Sequence, residues 1–225
     1  MSDLPVSTET KTRPHLGRRA SISRDELIDA ALALIGPHRS ISTISLREVA
    51  REAGIAPNSF YRHFRDVDEL SIALIEQAGT ALRQIIGKAR YRASADHSVV
   101  RTSLEAFLEQ LDADEGYLHL LLREGKVGSA AFKQAIERQL VFFEEELRED
   151  LIRLEQAYGH QLFAPELAAK AITRLAFVMG ATAMDQTPAE RQQTLEHTIV
   201  MIQMIIQGAR VMTSSPQPLG HTRLK

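Results

Sequence analysis

The sequence contains no cysteine and no tryptophan, and aromatic residues make up only 5% of its 225 residues. The absence of cysteine excludes disulfide scaffolds, thiolate zinc sites and cysteine nucleophiles. The low aromatic content argues against RNA-binding folds that stack bases on exposed rings. No apolar run approaches the roughly 20 residues of a membrane span, and the N-terminus has no apolar core of a secretion signal. We therefore expect a cytoplasmic protein with no membrane partner.

The motifs of common catalytic sites are also missing. The chain has no glycine-rich phosphate loop, no HExxH and no GxSxG. Its eight histidines are scattered without the spacing of metal ligands. These absences predict no enzymatic activity, no catalytic residue, no metal site and no resident cofactor.

The charge is distributed unevenly along the chain. Residues 11–65 hold ten basic and five acidic residues, whereas residues 66–225 hold 17 basic and 22 acidic ones. A basic first quarter before a larger acidic body favours a small anion-binding module, for which DNA is the obvious partner.

The hydrophobic periodicity predicts an all-α protein of about nine helices. Capping boxes begin the helices after Ser23 and Ser45, and the helix after Thr187 begins in the same way with Pro188 at its first position. Four segments follow from this pattern: a disordered basic arm (1–22), a three-helix helix-turn-helix DNA-binding domain (23–66), a ligand-binding and dimerisation domain (67–212), and a disordered tail (213–225).

Residues 45–64 have the spacing of a helix-turn-helix motif, with the turn at Gly54 and a third helix running from Pro57 to about Phe64. Such a motif places the start of its second helix in the major groove. Asn58 can pair with adenine there, and Ala56 or Pro57 can touch a thymine methyl. A basic helix pair in an ordinary bundle is the alternative.

The segment SLREVAREAGIAPNSFYRHF (45–64), followed by RDVDEL up to Leu70, resembles the DNA-binding signature of the TetR family of repressors. Within that family it is most similar to the FabR and DesT type regulators of unsaturated fatty acid synthesis, which it also resembles at residues 120–124. The resemblance implies a homodimeric repressor bound to a palindromic DNA operator. It also implies a long-chain fatty acyl thioester, on CoA or acyl carrier protein, as the effector.

The family's contacts, together with the residue types, give the predicted DNA-binding residues. They are Thr43, Ser45, Arg47, Ala56, Pro57, Asn58, Ser59, Tyr61, Arg62 and His63. Many members of the family have a lysine at the start of helix 4, where this chain has Val67. Arg62, Arg65 or the arginines of the N-terminal arm are candidates to replace that phosphate contact, the arm by entering a minor groove.

The body should hold an apolar tunnel for the acyl chain. Its predicted lining residues are Phe107, Leu111, Leu118, Leu122, Phe132, Phe143, Phe177 and Met184, for each of which ordinary core packing is the alternative. Small residues from Ala168 to Ala183 and an apolar stripe from Leu195 to Ala209 predict that the last two helices form the dimer seam. Two rival functions stay open, a TetR-type repressor that senses amphipathic drugs and an acyl-thioester binding protein without a DNA function.

Overall fold

The computed structural model describes residues 22–35, 39–92, 99–113, 116–127, 129–159 and 161–214. Over these ranges the chain forms nine α-helices and no strand, which confirms the all-α prediction. The helices are α1 (Arg24–Ile35), α2 (Leu46–Glu52), α3 (Pro57–Phe60), α4 (Val67–Arg92), α5 (Val99–Glu109), α6 (Tyr117–Val127), α7 (Ala130–Tyr158), α8 (Pro165–Ala183) and α9 (Pro188–Ser214). A short 3-10 turn at Ile41–Thr43, which the periodicity did not predict, precedes α2.

The first helices begin where the capping boxes predict. The Glu26 amide donates to the Ser23 hydroxyl at 3.1 Å, and the Ser23 amide donates back to the Glu26 carboxylate at 2.8 Å. Ser45 and Glu48 make the same reciprocal pair at the start of α2. Each box satisfies amides that have no partner inside the helix.

The third helix is shorter than predicted. Regular α-helix ends at Phe60, and the chain continues to Phe64 in tighter turns, in which the His63 amide donates to the Phe60 carbonyl at 3.0 Å. Phe60 and Phe64 are both fully buried, with ring centroids 5.7 Å apart. The tighter winding keeps both rings in the core.

Helix α4 joins the N-terminal helices to the body. Its 26 residues span about 39 Å at 1.5 Å per residue. Leu70 and Leu74 near its start and Leu82 further along are buried in one hydrophobic cluster that also contains Phe60. The DNA-binding helices and the body are therefore joined by continuous apolar packing.

The body consists of α5–α9 packed beside the second half of α4. Helix α7 lies between α4 and α8, and α8 packs on α9. Gly180 of α8 permits one close approach, because a Cβ there would lie 2.7 Å from the Phe107 ring. Gly159, with φ +70°, ends α7 in the left-handed conformation that glycine adopts readily.

Two predicted segment boundaries are wrong by a few residues. Ile22 was expected in the disordered arm but is buried against the core with 8% of its surface exposed. Thr213 was expected in the tail but lies in α9, where its hydroxyl donates to the Ala209 carbonyl. The rest of the predicted arm and tail, residues 1–21 and 215–225, lies outside the described residues. Within the described ranges, no helix has the length and apolar character needed to cross a bilayer.

Candidate DNA-binding surface and ligand cavity

The turn between α2 and α3 presents the predicted base-reading residues. Pro57 and Asn58 are exposed in the first turn of α3, and Ala56 and Ser59 beside them are partly exposed. Pro57 occupies the first helical position, where its missing amide leaves no bond unmade. The amide side chain of Asn58 is therefore free to reach a base edge in a major groove.

Side chains suited to the DNA backbone surround this turn. Tyr61 is 61% exposed, Arg62 is exposed and His63 is half-buried. Arg47 and Arg51 lie one turn apart on the exposed side of α2. Within the described part of the chain, Arg47, Arg51 and Arg62 make no ion pair. Their charges are available for phosphates.

Thr43 and Ser45 already have partners within the protein. The Thr43 hydroxyl donates to the Ser40 carbonyl at 2.7 Å and accepts from Arg39 at 3.3 Å. The Ser45 hydroxyl donates to Glu48 at 2.8 Å. Either hydroxyl would have to exchange that acceptor for a phosphate, so the phosphate roles predicted for them stay predictions.

Arg39, which the sequence reasoning passed over, ties the 3-10 turn to α2. Its guanidinium donates to the Thr43 carbonyl at 3.0 Å and to the Glu48 carboxylate at 2.9 Å. Hydrogen bonds from the Ser45 side chain, and then from Arg39, lower the pKa of Glu48 to about 2. Glu48 is thus ionised at neutral pH, and the pair fixes the entry to α2. The spacing of Arg39 and Glu48, nine residues apart, gave no periodic signal.

The start of α4 lacks the family's lysine but has a nearby arginine. Arg65 is exposed just before Val67, and its Nε lies 3.1 Å from the Glu69 carboxylate. The Arg65 amide also donates to Glu69, and this contact followed by the side-chain contact lowers the pKa of Glu69. Arg65 therefore has a carboxylate competitor for any phosphate, which leaves the exposed Arg62 as the less encumbered candidate.

A largely apolar cavity lies among five helices of the body. Its volume is about 130 Å³, and it is partly open to solvent. Its apolar lining residues come from α4, α5, α7, α8 and α9: Ile86, Val99, Val100, Leu104, Phe107, Phe143, Leu147, Leu151, Leu154, Ile172, Ala176, Phe177, Ile202 and Ile206.

Three of the eight predicted lining residues lie on the cavity wall. Phe177 has its ring centroid 5.4 Å from that of Phe107 and 5.3 Å from that of Phe143. The other five pack in or against the hydrophobic core instead and do not line this cavity: Leu111, Leu118, Leu122, Phe132 and Met184. They belong to the cluster shared with α4 and α6, which also contains Phe107 and Phe143, so the ligand-binding role of these five residues stays a prediction.

One charged pair interrupts the apolar wall. Arg90 of α4 and Asp150 of α7 both line the cavity, with Arg90 Nε 2.5 Å from Asp150 Oδ2. Ser103 and Thr173 are the other polar lining residues. Arg90 thus places a guanidinium group on a largely apolar wall.

The last two helices bury the stripes that were predicted to form the dimer seam. The residues buried inside the protomer are Ala168, Gly180, Ala183, Leu195, Ile199, Ile202 and Ala209. They were assigned to the seam wrongly, because they fill the contact of α8 and α9 with each other and with the rest of the body.

A different apolar face of the same helices is exposed. Leu167, Ala171 and Val178 follow each other on α8, and Val200, Met204 and Val211 repeat the same spacing on α9. Val178 is 63% exposed and Met204 is 68% exposed. We call these six residues the outer face. Its spacing keeps each stripe on one side of its helix.

The N-terminal helices match a family of known proteins. Residues 27–74 match the model of the bacterial regulatory proteins, tetR family. This segment contains α2, α3 and the turn that presents Asn58. The match confirms the predicted helix-turn-helix assignment.

Solved structures similar to this chain show the same fold over most of its length. A transcriptional regulator from Rhodococcus sp. Rha1 is 21% identical, with 84% of this chain and 98% of that chain covered and a TM-score of 0.63. A TetR-family transcriptional regulator from Pectobacterium atrosepticum is 18% identical, with 84% and 94% covered and a TM-score of 0.63. The fatty acid degradation regulator FadR from Bacillus halodurans is 18% identical, with 83% and 96% covered and a TM-score of 0.62.

The N-terminal match carries the assignment, and the similar structures extend the fold through the helical body. Residues 27–74 therefore form a DNA-binding domain of the kind found in the bacterial regulatory proteins of the tetR family, and the chain that carries it has the same helical fold as solved proteins of that family.

Proposed function

We propose that this regulator is a homodimeric repressor of genes for unsaturated fatty acid synthesis, and that a long-chain acyl thioester is its effector. Residues 56–59 read bases in the operator, and Tyr61, Arg62 and Arg47 contact phosphates. The outer face of α8 and α9 joins the two protomers. The acyl chain lies in the cavity of the body.

The apolar character of the cavity carries the proposal for the ligand. Fourteen of its 18 lining residues are apolar, which suits a hydrocarbon chain. Each buried methylene contributes about 0.8 kcal/mol, so chains of different length are distinguished readily. A cis double bond bends the acyl chain. A wall that contains three contacting phenylalanine rings therefore accommodates saturated and unsaturated chains unequally.

The similar chain from Bacillus halodurans supports the ligand class, since it is a regulator of fatty acid degradation. Its fold places the same kind of helical body behind a DNA-binding head. The proposal extends a regulatory role in fatty acid metabolism from that protein to this one.

Helix α4 supplies the route from ligand to DNA. Leu70 and Leu74 near its start pack with the DNA-binding helices, while Ile86 and Arg90 near its end line the cavity. A ligand that moves the end of α4 changes the spacing of the two heads, which must match about 34–36 Å or one turn of the duplex. A coupling free energy of about 1–3 kcal/mol is enough for regulation.

Two substitutions separate base reading from phosphate contact. We expect Asn58→Ala to lower the preference for operator over random duplex by about 1–3 kcal/mol, because a bidentate base contact is lost. Tyr61→Phe should weaken binding to both duplexes alike, by about 1 kcal/mol, because a phosphate hydrogen bond is lost. Fluorescence anisotropy with the two duplexes measures both effects. Equal losses on both duplexes for both variants would contradict these roles.

The effector is tested on the duplex from the region upstream of the chain's own gene. We expect palmitoyl-CoA and its unsaturated counterpart to change duplex affinity unequally, while free CoA has no effect because it carries no chain for the cavity. An identical response to acyl-CoA and CoA would remove the acyl chain from the mechanism. Denaturing extraction of the purified protein, followed by mass spectrometry, distinguishes a bound acyl ligand from an amphipathic drug.

A further inference from the structure

The Arg90 side chain is buried at the cavity wall without full satisfaction of its donors. It is 12% exposed, and its Nε, although 2.5 Å from the Asp150 carboxylate, has no hydrogen-bond acceptor within the described residues. The contact with Asp150 is thus a close pairing of charges in which the Nε–H bond is not used. A buried donor without an acceptor is costly, and a ligand that supplies an acceptor removes that cost.

Arg90 belongs to a row of alternating charges between α4 and α7, which we call the charge ladder. Glu146 lies 3.1 Å from Arg83 and 3.9 Å from Arg90. Asp150 lies 2.5 Å from Arg90 and 2.7 Å from Arg153. Three guanidinium groups thus share two carboxylates, and the largely exposed Arg153 gives Asp150 a second cation.

The unused Arg90 donor decides which head group the cavity favours. An oxyanion accepts a hydrogen bond from the Arg90 Nε, whereas an ammonium group cannot accept one and adds a positive charge beside a low-dielectric cavity. Asp150 keeps Arg153 as a partner when Arg90 turns to another anion, so the exchange leaves no buried carboxylate without a cation. Ser103 and Thr173 on the wall are neutral and give no comparable selection by charge.

We propose that Arg90 is the residue that recognises the head of the ligand, by binding an oxyanion at the end of an acyl chain in place of Asp150. This inference rests on the proposed function, because it assumes that the chain occupies the cavity. The oxyanion is the carboxylate of a free fatty acid or a phosphate of the acyl thioester's carrier. A guanidinium donates to either through two parallel N–H bonds.

The test compares ligands that share one chain and differ in the head. Palmitate, palmitoyl-CoA and the neutral methyl palmitate are titrated against the full chain, each displacing a neutral apolar fluorescent probe. The absence of tryptophan keeps the background emission low. We expect at least one of the two anionic ligands to bind about tenfold or more tightly than the ester. The reason is that only an anion can accept a charge-assisted hydrogen bond from Arg90.

Four variants assign that preference to a residue. Arg90→Gln should abolish the preference for an anion while leaving the affinity for methyl palmitate unchanged, and Arg90→Lys should retain part of it. Asp150→Asn should strengthen anion binding, because the competing carboxylate is lost. Arg191→Gln is the matched control, since Arg191 of α9 pairs with Asp112 in the turn after α5 at 2.7 Å but does not line the cavity.

The outcomes separate this inference from the proposed function. Loss of palmitate binding in Arg90→Gln identifies a carboxylate, and loss of palmitoyl-CoA binding alone identifies a carrier phosphate. Two results would overturn recognition of the head group by Arg90 while leaving the proposed acyl effector intact. One is that Arg90→Gln binds palmitate and palmitoyl-CoA as tightly as the wild type does. The other is that the wild type binds palmitate, palmitoyl-CoA and methyl palmitate equally. Binding of none of the three defeats the proposed function and this inference together. Should Arg90→Gln fail to fold, unchanged or weaker anion binding in Asp150→Asn overturns the inference.

Discussion

Phe60→Ala should destabilise the DNA-binding helices by about 3–5 kcal/mol, as truncation of a fully buried aromatic ring does. Phe60 has no exposed surface, its ring lies 5.7 Å from that of Phe64, and α3 contributes no other buried side chain. Without the ring, nothing holds the first turn of α3 and its Asn58 against the other helices. We therefore expect duplex binding to be lost.

The measurement is urea unfolding followed by circular dichroism, together with duplex affinity at low salt. Phe142→Ala is the matched control, because Phe142 is half-exposed and its ring contacts Arg83 on the outside of α7. The control should cost less than about 1 kcal/mol and leave duplex binding intact. A Phe60→Ala protein that keeps wild-type stability and affinity would show that α3 is held by something other than this ring.

The double substitution Val178→Glu and Met204→Glu should prevent the proposed dimer from forming. Both side chains are well exposed on the outer face, so the protomer itself should change in stability by about 0.5 kcal/mol or less. Across a two-fold interface, each added carboxylate meets apolar partners and the equivalent carboxylates of the second protomer. We expect affinity for a palindromic duplex to fall by at least about 100-fold, because each head then binds its half-site alone.

Sedimentation velocity gives the mass in solution, and anisotropy gives the duplex affinity. Tyr91→Glu is the control, since Tyr91 is exposed near the end of α4 and does not belong to the outer face. A wild-type protein that sediments as a monomer would falsify the homodimer proposal. A double variant that remains dimeric would place the interface elsewhere.

Local signals in the sequence were sufficient for the helix starts and the DNA-binding motif. The Ser23 and Ser45 boxes depend on residues only three positions apart, so the pattern contains the whole interaction. The spacing of Phe60 and Phe64, four residues apart, indicates one face of a helix, and both residues are buried in the core. The 3-10 turn at Ile41–Thr43 has no hydrophobic period, and it depends on Ser40 and Arg39 for its hydrogen bonds.

Contacts between distant segments could not be read from the sequence. Periodicity places Leu118 and Phe143 on buried faces alike, but only the arrangement of the helices determines that Phe143 borders a cavity and Leu118 does not. The apolar stripe around Ile199 was assigned to a dimer seam for the same reason. The pattern of an apolar helix face does not indicate whether the face packs inside the protomer or against a second protomer. Arg90 and Asp150 are 60 positions apart, and no local pattern relates them.

The continuous packing along α4 has a consequence for how such a chain can be divided. A fragment that stops at Asp66 would leave behind Leu70 and Leu74, which close the apolar interior of the first three helices. A recombinant exchange of reading heads between regulators of this kind should therefore be spliced downstream of Leu74, inside α4, and not at the loop where the helix starts. Heads transplanted at the loop would carry an open hydrophobic seam and would aggregate.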